Sequence, residues 1–391
     1  MQKPDNFTAL NGLRFLAALA VVFFHFTPHL YAYPGFPEGI RNLISEGPAA
    51  VPFFFILSGF VLAYRHLWNC EQPRSPRAFY WARFLRLYPA YLFAFALFLP
   101  IAIEKYLRGP LSLSGGRHTF IESAVLSAFM LQAWTPLAQA WNGPSWSLSV
   151  EAFLYLMFPF IGFRLMSLSF KKTIGILLAG WLVPVGLACG YVLHLIPENL
   201  WTAYVRNNPL LWMPMFISGI CATKLLPAWA NVQRRTANRV STGAFVLVVL
   251  LAAVWPSRWS EIFITGGLAP LLLVMVLSFT RDSGLLTRLL GGAVMDRLGQ
   301  ASYILYIIQS PMWHYWQAFT NYLRHAPLET AGVTIWQFCA FVPFLVFSSV
   351  VVQNLVEIPL RNWMKEKSRQ FVTTHSAHDL DFKIARRMSN P

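Results

Sequence analysis

Two ionisable residues stand inside the first apolar run of the chain, Arg14 and His25, within the stretch NGLRFLAALAVVFFH that ends at His25. A charged side chain at membrane depth is costly, so such a residue marks a functional site by default. The two are eleven positions apart, about 16 Å along a helix rising about 1.5 Å per residue. Eleven steps of about 100° bring the second residue back to within about 20° of the first. One helical stripe therefore carries a guanidinium at one depth and an imidazole roughly half a hydrocarbon thickness away. The first can hold an anionic group near a membrane surface, and the second can move a proton deeper in. The plainer alternative has Arg14 snorkelling to the interface and His25 satisfied between helices.

Five further segments carry polar groups into or beside apolar surroundings. Asn142 opens the run NGPSWSLSVE, which holds Trp146, Ser149 and Glu151. Glu151 lies two turns inside that span. If the span descends from the side toward which the first one climbs, Glu151 and His25 reach comparable depth. A carboxylate beside an imidazole orients the ring and stabilises its cation, which makes a general base. A structural ion pair is the alternative for Glu151. Arg83 and Arg86, three apart, share a helix face at the mouth of the third apolar run, with Arg74 and Arg77 ahead of them and Tyr80, Tyr88 and Tyr91 interleaved. Guanidinium forks suit phosphate, and a nucleotide-bearing cofactor such as an acyl-coenzyme A would fit there. Charge that sets topology would also explain some of these arginines. Ser302, Tyr306 and Gln309 recur at i, i+4 and i+7, a polar stripe that should face protein or a cavity, with His314 beyond it. Ser58 and Gly59 read first as a packing notch and second as site lining. Glu357 and Arg361, at i, i+4, read as a structural interfacial pair.

The elements that position these residues follow from composition. The chain has 391 residues, of which 56% are hydrophobic and 12% charged, against about 25% charged in a soluble domain. This predicts an all-α, polytopic transmembrane helical bundle. Ten spans are expected, at residues 7–29, 47–65, 84–103, 145–168, 173–195, 209–226, 242–256, 260–280, 298–319 and 332–355. The apolar run 120–134 is short and carries Glu122 and Gln132, so it is expected to be re-entrant or interfacial. With ten spans and both termini cytoplasmic, most of the 31 Lys and Arg residues fall on the inner side. Counting 120–134 as an eleventh span would move Lys171, Lys172, Arg234 and Arg235 outside, against the positive-inside rule.

The net charge of +15 sits in short blocks between apolar runs, the pattern of a membrane protein and not of a nucleic-acid binder. Cys70, Cys189, Cys221 and Cys339 have no metal-ligand spacing, and no metal site is expected. No internal repeat supports a transporter built from inverted halves. Residues 1–363 are read as one membrane domain and 364–391 as a basic cytoplasmic tail.

Together these blocks resemble the acyltransferase 3 family of integral membrane acyltransferases. The resemblance rests on Arg14 and His25 with ten residues between, FFILSGF to Phe60, RFLRLYP from Arg83, WSLSVE ending at Glu151, LGQASYILYIIQSP ending at Pro311, and Glu357 to Arg361. They run in family order. Pro52 departs from the pattern, since many relatives carry an acidic residue there. The resemblance implies a ten-helix domain in a bacterial inner membrane. It implies transfer of an acyl group, often acetyl, from cytoplasmic acyl-coenzyme A to a hydroxyl of a cell-surface glycan or lipid-linked saccharide. It also implies Arg14 and His25 as the essential pair and Glu151 as a supporting acid. The competing class is a polytopic transporter or flippase that moves a saccharide or lipid intermediate without acyl transfer.

Overall fold

The computed structural model describes residues 7–27, 35–68, 76–108, 116–281, 283–324 and 334–367. Arg74, Cys70, the expected end of the first span at His29, the expected start of the last at Gly332, and tail residues 368–391 lie outside the described residues. Within them the secondary structure is helical, with no strand. The helices are α1 (Thr8–Phe26), α2 (Glu38–Ser45), α3 (Ala50–Ala63), α4 (Pro76–Arg108), α5 (Gly116–Ala128), α6 (Trp146–Ser167) and α7 (Phe170–Val192). They continue as α8 (Pro209–Ala222), α9 (Arg234–Val254), α10 (Ala269–Phe279), α11 (Leu285–Leu290), α12 (Ala293–Leu323) and α13 (Ile335–Val352). An apolar run that leaves water must satisfy its backbone internally, which a helix does.

Eight helices among the described residues are long and apolar enough to cross a membrane, and nine if one bent pair counts as a single span. That pair is Ser257–Gly267 with Ala269–Phe279, bent by 48°, where the sequence predicts one continuous span over 260–280. Gly266 makes the break, with φ of +125° that a side chain would resist. The remaining expected span is α12, 31 residues long. Its polar stripe makes it less apolar than the others. α5 has 13 residues, about 20 Å of helix, too short to span. The chain turns back after it through Met130, at φ +57°.

The bundle is tightened where glycines let backbones meet. A Cβ on Gly59 would stand 2.1 Å from the Phe216 carbonyl oxygen, and one on Gly219 would stand 1.9 Å from that of Ile56. α3 and α8 therefore cross in direct backbone contact, which confirms the notch read at Gly59. α1 is pinned similarly, since Gly299 of α12 meets the Asn11 backbone and Gly12 meets that of Leu290. Asn11 also donates to Asp296, at 2.8 Å. Phe163, Leu195, Trp336 and Phe347 point outward, as expected of a surface facing lipid.

Just ahead of the span that begins at Gly47 lies Glu46, 3% exposed. Its Oε1 accepts from the Ser260 hydroxyl, and its Oε2 is buried without a partner. Burial pushes this carboxyl up to about 7. The Ser260 bond opposes the shift and the Glu261 charge adds to it.

Candidate functional site

The polar residues of the core fall on two levels. The lower one is built on Glu151. Its Oε1 accepts from the Tyr155 hydroxyl, one turn along α6, and Ser58 Oγ of α3 stands 3.3 Å from both the carboxylate and the phenol. Arg83 of α4 lays its guanidinium 5.7 Å from the Tyr155 ring centre and 5.8 Å from that of Phe79. Its Nε is buried without a partner.

Arg14, Arg83 and Arg86 all lie within electrostatic reach of Glu151. Arg86 acts on both of the others, and Arg65 adds a further positive charge beside Arg14 and Arg83. The other carboxylate near Arg86 is Glu357. It is held at 2.7 Å by Arg361, the pair read from their i, i+4 spacing. Three arginines thus share one carboxylate, and the surplus positive charge suits an anionic ligand.

The upper level is His25. Its Nδ1 lies 3.3 Å from Oε1 of Gln309 on α12, a residue with 0% exposure. The Nδ1 edge of the ring thus meets the protein, and the side chain as a whole remains exposed. Phe24 packs against the ring, and Phe26 beside it stacks on Trp313 of α12 at 4.7 Å.

The sequence pairs His25 with Glu151, and the structure separates them. Ser147, near the start of α6, donates to the Tyr306 hydroxyl at 2.9 Å and so sets the two helices in register. Glu151 lies four residues below that point and Gln309 three above it, a separation of about 10 Å along the axes. His25 bonds to Gln309 and to the Val21 backbone, and Glu151 bonds to Ser58 and Tyr155. The carboxylate belongs to the arginine level.

The other expected site residues divide. Ser58, Arg14, Arg83, Arg86 and Glu151 come together, and His25 and Gln309 meet above them. Tyr306 is buried between the levels with its hydroxyl on Ser147 and Phe54 at its edge. Ser149 does not line the site. Its Oγ donates to the Met130 carbonyl at 2.5 Å and accepts from the Ala133 amide at 3.3 Å, fixing the return after α5. Trp146 packs on Trp212, at 5.4 Å between ring centres. Tyr155 and Arg65 join the lower level without standing out as site residues in the sequence. For Tyr155 a signal existed, since it stands at i+4 from Glu151.

The chain is similar to acyltransferase MdmB of Streptomyces mycarofaciens, with 28% identity over 77% of each chain. It is similar to protein 2 in the picA locus of Rhizobium radiobacter, with 32% identity over 38% of this chain and 78% of that one. A shorter stretch is 38% identical to an amino-acid racemase of Enterococcus faecalis, over 18% of this chain and 10% of that enzyme. That reach is too small to carry an activity. No solved structure matches the chain. The family model described as an acyltransferase domain, acyltransferase 3, matches residues 7–353, and the chain belongs to this family of membrane acyltransferases.

Proposed function

We propose that the chain moves an acyl group, acetyl in the simplest case, from cytoplasmic acyl-coenzyme A to a hydroxyl of a cell-surface glycan or lipid-linked saccharide. It does so in a bacterial inner membrane, with both termini cytoplasmic. The observation that carries this reading is the two-level arrangement: arginines sharing Glu151 at one depth, and an accessible imidazole about 16 Å along the same helix. Arg14, Arg83 and Arg86 receive the phosphates of the donor, and its pantetheine arm runs up to His25. His25 takes the proton of the acceptor hydroxyl as that oxygen attacks the thioester carbonyl. The C–S bond then breaks, and coenzyme A leaves with a proton on sulfur. A route through a transient acyl-histidine uses the same groups. Glu151 holds the arginines in place by its opposite charge.

The test is free coenzyme A released from acetyl-coenzyme A by membranes containing the chain. Release that depends on added surface-glycan extract, and stops in His25→Ala while coenzyme A still binds, supports the reading. Transport of a saccharide with no thioester consumed overturns it. Mass spectrometry of surface glycans with and without the chain identifies the acceptor by its missing acyl increment.

A further inference from the structure

The bonds around Gln309 are more specific than site lining requires. Its Nε2 donates to the Tyr306 carbonyl at 2.7 Å, which fixes which way round the amide sits. The flipped amide would set oxygen against oxygen. Oε1 is therefore the atom presented to His25 Nδ1 at 3.3 Å. A carbonyl oxygen can only accept, so the Gln309 contact bonds only when Nδ1 donates; the Val21 backbone, one turn back on α1, also bonds the ring. In a neutral ring the proton is then on Nδ1 and the lone pair on Nε2.

The setting of that amide is also built. Pro311 follows two residues later on α12 and has no N–H, so the Ile307 carbonyl loses its helical donor. Asn142 Nδ2 takes that carbonyl at 2.7 Å, tying the segment just before α6 to the interrupted turn. Gln309 lies within the same turn and is 0% exposed. A side chain held at both ends of its amide in a closed site has one orientation to offer.

We infer that Gln309 is a positioning residue: anchored on the Tyr306 carbonyl, it holds His25 in the tautomer whose free lone pair is on Nε2. This rests on His25 being the base or nucleophile of the proposed transfer, and both routes need that lone pair. It separates the tasks the sequence assigns to one carboxylate. Gln309 orients the imidazole, and Glu151 serves the arginines. A neutral orienter leaves the ring without a counter-charge, so the proton it accepts is returned readily to the leaving thiolate.

The experiment is solid-state NMR of the full chain in bilayers, with histidine labelled by 13C and 15N and the His25 signals assigned by difference from His25→Gln. Nδ1 is recognised by its coupling to Cγ. The expected spectrum of the neutral ring has a protonated Nδ1 and an unprotonated Nε2. In Gln309→Leu the Nε2–H form should grow in, whereas Gln309→Glu, whose protonated carboxyl can still donate to the Tyr306 carbonyl while its other oxygen accepts, should retain Nδ1–H. With acetyl-coenzyme A and native-acceptor membranes, Gln309→Leu should lose kcat on the order of 10²-fold at unchanged KM for the thioester, with partial rescue in Gln309→Glu. An Nε2–H tautomer in the unaltered chain, or Nδ1–H persisting in Gln309→Leu, overturns the inference. The expected tautomers without thioester turnover would instead overturn the acyl-transfer reading and leave the bonding intact. Should Gln309→Leu not fold, the unaltered chain and Gln309→Glu still decide the tautomer.

Discussion

Replacing Glu151 by Gln removes a charge while keeping an oxygen for Tyr155 and Ser58 to bond. Arg14, Arg83 and Arg86 then lose their shared counter-charge. Two unit charges attract by about 4 kcal/mol at about 4 Å and an effective dielectric of about 20, and by about half that at twice the distance. Some of that sum is offset because the carboxylate no longer has to be desolvated. Breaking a buried charge cluster by removing one partner typically costs about 3–5 kcal/mol. Glu151→Gln should therefore melt well below the unaltered chain in detergent. A bound phosphate no longer meets the repulsion of Glu151, so coenzyme A should bind about tenfold more tightly. It should also restore much of the lost melting temperature. The assay is a thermal-shift series over coenzyme A concentration, at low and high salt, with calorimetry for Kd. A variant that binds coenzyme A more weakly, or whose melting coenzyme A does not rescue, would refute the reasoning and return Glu151 to a role in chemistry.

Arg86→Ala should weaken coenzyme A binding by tenfold or more while relieving like-charge repulsion on Arg14 and Arg83, so its melting temperature should fall less than that of Glu151→Gln. Unchanged Kd by calorimetry would remove it from the phosphate site. Gly219→Ala places a methyl 1.9 Å from the Ile56 carbonyl oxygen. It should destabilise by about 3 kcal/mol or more, read as lost folded yield in detergent-solubilised size exclusion, and normal yield would contradict the crossing. Glu46, raised from 4.5 to about 7, binds its proton more tightly folded than unfolded. Its contribution is full below pH 4.5 and fades as pH rises through about 7, amounting to about 3 kcal/mol for that shift. Melting temperature should therefore fall across this window, and Glu46→Gln should flatten the fall. Equal slopes in both proteins would count against it.

The helices were legible because apolar length is a local property, and the polar stripe of α12 because i, i+4, i+7 spacing is local too. What the stripe touches was not legible. His25 and Gln309 are 284 positions apart, and only the register of α6 against α12 decides that the imidazole meets an amide and not Glu151. Ser147 and Ser149 look alike within one motif. Two residues on a helix differ by about 200°, so one faces Tyr306 and the other the Met130 carbonyl. The break ahead of α10 had a visible cause, Gly266 beside Gly267. A glycine pair in an apolar run serves close packing as readily as a bend, and here Gly266 takes the bend. The arginines were found by type and spacing, since charge in an apolar run is conspicuous wherever it sits.

The crossing of α3 on α8 works as a rivet. With each backbone seated on the other at Gly59 and Gly219, neither helix can slide or roll without a steric collision. Ser58, one residue away, is held still with it. Turnover here cannot proceed by rocking these two helices past each other. On the proposed acyl transfer, donor and acceptor have to come to this fixed crossing, since the crossing cannot move to meet them.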